Sequence, residues 1–260
     1  MVPANLGPVR SLQFLVSRRW VFFLLAVVLL SWLAWALGQW QFQRLEERQE
    51  RNQAVTRNLD REPVPVGSVL SVGEDVPPDE RWRRVVASGR YDAENRIVVR
   101  YRTREGESGV EVVVPLVTDE GPTLLVDRGW MPSDNRGVPE EVPTPSEEPV
   151  TVTGFVRADA DPDETSTDVT DLSTRAISSE AIGEAIGQDT YGGFVVLEEE
   201  DPEVAPEGER LQPVEMPELD EGPHFFYGLQ WWFFGALAVF GFGYLAYDEW
   251  RRGRRPVTGS

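Results

Sequence analysis

Two long apolar runs near the ends of the chain constrain its fold most. Residues 20–37 and 225–247 contain 18 and 23 residues, without a single Asp, Glu, Lys, Arg or His. A helix of about 20 apolar residues crosses the hydrocarbon core of a bilayer. The sequence therefore predicts two transmembrane helices that hold a polar domain, residues 38–224, between them. A cleaved secretory signal is the alternative for the first run, because residues 34–36 (AWA) fit the small-x-small cleavage pattern.

Arginines outside the two runs orient the predicted spans. They are Arg10, Arg18 and Arg19 before the first run and Arg251, Arg252, Arg254 and Arg255 after the second. Cytoplasmic flanks of membrane spans carry an excess of basic residues. We therefore predict cytoplasmic tails at 1–19 and 248–260 and an extracytoplasmic domain at 38–224. The expected location is the cell (plasma) membrane, with the lipid bilayer as a partner.

Charge and composition narrow the possible functions. The formal net charge is −19, and since the tails contribute +3 and +2, residues 38–224 carry −24. Such a domain repels phosphates, so no nucleic-acid partner is expected. The chain has no cysteine and a single histidine, His224, which argues against disulfides, thiolate metal sites and histidine clusters.

Six short segments between the runs predict a β-rich domain. They are rich in β-branched and aromatic residues, end at turn residues, and lie at 82–88, 96–102, 109–117, 123–127, 150–157 and 194–197. Because no long helix separates them, the fold class is a small antiparallel barrel or sandwich. A short helix is predicted at 178–186, ended by Gly187. A helical extension of the first run is predicted from Gln39 to about Leu59, and residues 198–221 are predicted to be a solvated acidic connector.

Five motifs, in order along the chain, resemble those of the surfeit locus protein 1 (Shy1) family of cytochrome c oxidase assembly factors. They are 37–45 (LGQWQFQRL), 89–92 (GRYD), 114–116 with 124–132 (VPL and LLVDRGWMP), 152–157 (VTGFVR) and 223–231 (PHFFYGLQW). The third is the most specific. In the last, Phe225 and Gly228 stand where the family pattern has leucine and alanine. The resemblance implies a non-enzymatic role in maturing haem-copper oxidases, so the chain is expected not to be an enzyme. The implied partners are the catalytic subunit and the haem a synthesis machinery.

The resemblance also implies haem a as a transient cofactor, with His224 as the axial ligand of its iron. Tyr227, Gly228 and Trp231 are further candidate haem contacts. Flat apolar surface is expected from Phe225, Phe226, Tyr227, Trp231 and Trp232. Gly228 lies four residues after His224 on a helix and bears no side chain, so a macrocycle could approach there. The alternative is a helix-start histidine that binds a loop carboxylate such as Asp220 or Glu221. A haem-free membrane scaffold or adaptor is the alternative function.

Arg128 is the candidate for a haem propionate or a partner contact. Its structural alternatives are a salt bridge to Asp127 or to a carboxylate elsewhere in the domain. For Trp40 and Gln41, at the end of the first run, the expected role is packing against the start of the second.

Overall fold

The computed structural model describes residues 14–134, 139, 142–202 and 211–252. Its helices are α1 (Arg18–Leu59), α2 (Ser179–Ile186) and α3 (His224–Arg252), and its strands are β1 (Val64–Pro65), β2 (Arg84–Tyr91), β3 (Ile97–Arg104), β4 (Glu107–Thr118), β5 (Thr123–Pro132), β6 (Val150–Arg157), β7 (Ser173–Thr174) and β8 (Phe194–Asp201). Arg10, Arg254 and Arg255, which support the predicted orientation, lie outside the described residues. The chain divides into two compact units, Met1–Asn52 with Leu219–Ser260 and Gln53–Glu218.

The first unit is an antiparallel pair formed by α1 and α3. Trp20 contacts Phe242 at one end of the pair, and Gln41 contacts His224 at the other. Positions shielded from solvent recur every three or four residues, namely Val27, Ser31, Ala34, Gly38, Gln41, Leu45, Arg48 and Asn52 in α1 and His224, Gly228, Trp231, Gly235, Ala238 and Phe242 in α3. This 3.5-residue period is the period of a coiled-coil seam.

Two glycines let the helices approach closely. A Cβ on Gly38 would overlap the indole of Trp232, and a Cβ on Gly228 would meet the ring of Phe42 at 2.8 Å. Each helix therefore inserts one large aromatic ring at a glycine of the other, as apolar helices do where small residues face a partner. Both helices are long and apolar enough to cross a membrane, by length and composition.

The second unit is a small barrel. β2, β6, β8, β5 and β4 are hydrogen-bonded in that order, and β4 returns to pair with β2 through Gly89 opposite Thr118, which closes the ring. β3 pairs with the first half of β4, and β7 lies beside β3. The predicted barrel is confirmed, and the sandwich is not formed. The prediction of a purely antiparallel sheet was wrong, because β5–β8, β1–β2 and β3–β7 are parallel.

The barrel buries hydrophobic residues on both faces of its strands. Val112, Val114 and Leu116 of β4 belong to a cluster that includes residues from all five strands of the ring. Val113 belongs to a second cluster, which includes Ile182 of α2. Strands covered on both faces have continuous apolar sequences rather than alternating ones. This explains why β4 and β5 are nearly unbroken runs of valine and leucine.

All six predicted strands occur: β6 has the predicted ends, and the other five have shifted or extended ends. Trp82 lies outside β2 because its φ of 62° is left-handed. β8 continues to Asp201, and Gln212 exchanges two 2.8 Å backbone hydrogen bonds with Trp130, so parts of the predicted connector 198–221 are ordered against the barrel. The short helix was predicted correctly: the Ser178 hydroxyl caps its start and left-handed Gly187 ends it.

Candidate functional site

His224 is the first residue of α3 and is held by α1. Its Nδ1 lies 2.8 Å from Oε1 of Gln41, a residue 183 positions earlier in the chain. A glutamine oxygen only accepts hydrogen bonds, so Nδ1 is the donor in this contact. In the neutral tautomer that makes this contact, the lone pair lies on Nε2. The predicted packing of Gln41 against the start of the second run is confirmed, whereas the ring of Trp40 contacts Arg44 of its own helix.

Gly222 lies next to the His224 ring. A Cβ on Gly222 would lie 3.5 Å from Nε2 and 3.4 Å from Cδ2 of His224. Gly222 has a φ of 68°, a backbone conformation that residues other than glycine rarely adopt. No hydrogen-bond partner for Nε2 occurs in the part of the chain that the structure describes. The site thus presents one imidazole nitrogen without a hydrogen-bond partner among the described residues, next to a glycine.

The segment before His224 is bound to α1 by hydrogen bonds and an ion pair. Arg48 donates from Nε to the Asp220 carbonyl at 2.8 Å and forms an ion pair with the Asp220 carboxylate. Gln49 donates to Glu221 at 2.9 Å. Both carboxylates are therefore held by α1, and the alternative in which His224 binds Asp220 or Glu221 was wrong. Its actual partner is the neutral Gln41.

The residues that follow His224 differ in accessibility. Tyr227 is 48% exposed, whereas Gly228 is buried. The ring of Phe42 occupies the space over Gly228, so the idea that bare Gly228 admits a macrocycle was wrong. Trp231 is half-buried, with its ring centroid 6.1 Å from that of Phe234. Phe225 and Phe226, which were also expected to supply apolar surface, are exposed like Tyr227.

Arg128 belongs to the barrel unit, where it forms a buried ion pair. Its Nη2 lies 2.8 Å from Oε1 of Glu200, and only 6% of its side chain is exposed. Tyr91 donates its hydroxyl to the same carboxylate at 3.1 Å, and its ring lies under the guanidinium. Burial, and secondly the charge of Glu200, raise the pKa of Tyr91 far above its ordinary range. Of the two structural alternatives for Arg128, the salt bridge to a carboxylate elsewhere in the domain is the one observed.

Asp127 is buried beside a tight turn. Its Oδ1 accepts a hydrogen bond from the Gly129 backbone at 3.2 Å. Burial and then the Glu111 carboxylate raise the pKa of Asp127 to about 8. Gly129 has a φ of 131°, and a Cβ there would overlap the Gln212 carbonyl, so the turn requires glycine. The Trp130 indole donates to the Arg102 carbonyl at 2.8 Å. The third sequence motif therefore packs and closes the barrel.

Sequence reasoning found His224 but missed Arg48 and Gly222 beside it. The signal for Arg48 was present in the sequence, because it lies seven residues after Gln41 and so shares its helical face. No group of three or more His, Cys, Asp or Glu side chains that could hold a metal ion occurs within the described ranges. The Nε2 atom of His224 is a nitrogen of the kind that can coordinate a metal ion.

These features define a small β-barrel protein with an antiparallel pair of apolar helices. The chain belongs to the SURF1 family, whose profile matches residues 28–236. It is 35% identical over 255 residues to an uncharacterised SURF1-like protein of Mycobacterium tuberculosis. The aligned region covers 96% of this chain and 91% of the relative. A Mycobacterium bovis SURF1-like protein matches with the same figures. The cytochrome oxidase assembly protein SHY1 of Saccharomyces cerevisiae is 28% identical over 131 residues, 48% of this chain and 33% of that protein.

Proposed function

We propose that this chain is a membrane-bound assembly factor for a haem-copper cytochrome c oxidase and not an enzyme. Membership of the SURF1 family supports the role, since a relative in yeast is named a cytochrome oxidase assembly protein. The two long apolar helices support insertion in the cell membrane. The barrel lies on the extracytoplasmic side and both termini are cytoplasmic. The partners are the catalytic subunit of the oxidase and the machinery that makes haem a.

His224 binds the iron of haem a in this proposal. The observation that carries it is the difference between the two ring nitrogens. Nδ1 donates to Gln41, whereas Nε2 has no hydrogen-bond partner among the described residues and lies next to Gly222. A ligand histidine commonly donates its other nitrogen to an oxygen acceptor, which fixes the ring and its tautomer. When bound, haem a supplies a redox-active iron that accepts one neutral nitrogen. Phe225, Phe226 and Tyr227 offer it flat apolar surface, and a single protein ligand suits later release.

Replacement of His224 tests the ligand. His224→Ala should abolish or strongly shift the Soret band of haem that co-purifies with the protein from membranes that make haem a. Gln230→Ala is the matched control, because Gln230 is exposed on the same helix and should retain haem content and spectrum. Wild-type haem content and spectrum in His224→Ala would show that the ligand assignment is wrong.

The haem-free scaffold is the second candidate function. One observation favours it: the ring of Phe42 fills the space at Gly228 that a macrocycle was expected to use. In that case Gln41 and His224 join the two helices, and a surface of the protein binds the oxidase subunit directly. Wild-type protein purified without haem from membranes that make haem a would support the scaffold.

A further inference from the structure

Two of the three nitrogens of the Arg48 guanidinium are bound to Asp220. Its Nε and Nη2 contact the carbonyl and the carboxylate of Asp220. Asn52 also donates to the Asp220 carbonyl, at 3.1 Å, so the segment that holds Arg48 is itself fixed to α1. The third nitrogen, Nη1, has no hydrogen-bond partner within the described ranges. Since the guanidinium is planar and rigid, fixing two nitrogens also fixes the direction of the third.

Nη1 of Arg48 and Nε2 of His224 lie against the same glycine. A Cβ on Gly222 would lie 3.3 Å from Nη1 of Arg48 and 3.5 Å from Nε2 of His224. Because Gly222 has no side chain, neither nitrogen is covered by one from that side. Arg48 is about one third exposed, so its charge is reachable from outside.

We propose that Arg48 is a carboxylate-binding residue of the His224 site, where Nη1 binds an acidic group of the same ligand that Nε2 coordinates. This rests on the proposed function, because haem a carries two propionates. Arginine binds carboxylates through charge-assisted hydrogen bonds, and a fixed guanidinium loses little entropy on binding. Arg48 takes the role that sequence reasoning gave to Arg128, whose buried guanidinium is already paired with Glu200.

Haem with and without free carboxylates tests the contact. Apo-protein in detergent is titrated with haem b, which also has two propionates, and with haem b dimethyl ester, and the dissociation constants are read from the Soret band. Wild type should bind the free acid about tenfold more tightly than the ester, the effect of one charge-assisted hydrogen bond. Arg48→Gln should lose this preference while its affinity for the ester stays within about twofold.

Two controls separate binding from structural effects. Arg44→Gln removes an exposed arginine one turn earlier on α1 and should keep the wild-type preference. Asp220→Asn weakens the contact between Asp220 and Arg48 but leaves the arginine in place. This variant should also keep the wild-type preference for the free acid. A preference that survives in Arg48→Gln, or an equal loss of affinity for both ligands, would overturn the role of Arg48. His224→Ala should weaken the binding of both haem b and its dimethyl ester. If it weakens the binding of neither, the proposed function itself fails.

Discussion

Gln41 determines what His224 can do chemically. An amide oxygen accepts from Nδ1, so the contact with Gln41 fixes the ring and leaves Nε2 as its other nitrogen, without a partner among the described residues. The sequence identified His224 because it is the only histidine, but its partner lies 183 residues away. Local patterns carry no information about such a pairing.

The raised pKa of Asp127 predicts a pH-dependent stability. The group is neutral in the folded protein up to about pH 8 and ionises near 3.8 when unfolded. Its contribution is therefore fully present below pH 3.8 and is lost as the pH rises towards 8. Asp127→Asn, a neutral mimic, should be increasingly more stable than wild type between those values. Denaturant midpoints of the full chain in detergent, measured across this range, check it, and a pH-independent difference would contradict it.

At the scale of elements, the strands were predictable and their neighbours were not. Short β-branched segments between turns identified all six longer strands, because each is buried on at least one face. β1 and β7 have two residues each, too few for any periodic signal. The parallel pairing of β5 with β8 depends on contacts between residues about 70 positions apart, as Val126 opposite Val195 shows. Sequence patterns specify strands but not which distant strand lies alongside.

The helix pair predicts a specific cross-link. The Cβ of Ala34 lies 3.3 Å from where a Cβ on Gly235 would be, near the Cβ separation of about 3.5–4.5 Å in disulfides. Ala34→Cys with Gly235→Cys should form an intramolecular disulfide on mild oxidation. The chain has no native cysteine, so loss of maleimide labelling reports this bond alone. The control pair, Leu33→Cys with Gly235→Cys, should stay reduced because Leu33 is 44% exposed. Equal oxidation of both pairs would contradict the helix register.

At the scale of the whole molecule, charge is distributed in three parts. Residues 38–224 carry −24, and the positive charge outside them is all arginine, placed before the first apolar run and after the second. Basic flanks resist translocation, whereas long acidic domains cross a membrane readily. The predicted orientation therefore depends on composition along the chain and not on pairing between distant residues.

Labelling of single cysteines tests the predicted orientation. Thr165 is exposed in the barrel unit, and Glu249 is exposed near the end of α3. In intact cells a membrane-impermeant maleimide should label Thr165→Cys but not Glu249→Cys, because the predicted orientation places the barrel outside and the end of α3 inside. After permeabilisation both variants should react, which shows that both thiols are accessible. Labelling of Glu249→Cys but not Thr165→Cys in intact cells would reverse the topology and place the His224 end of α3 at the cytoplasmic face.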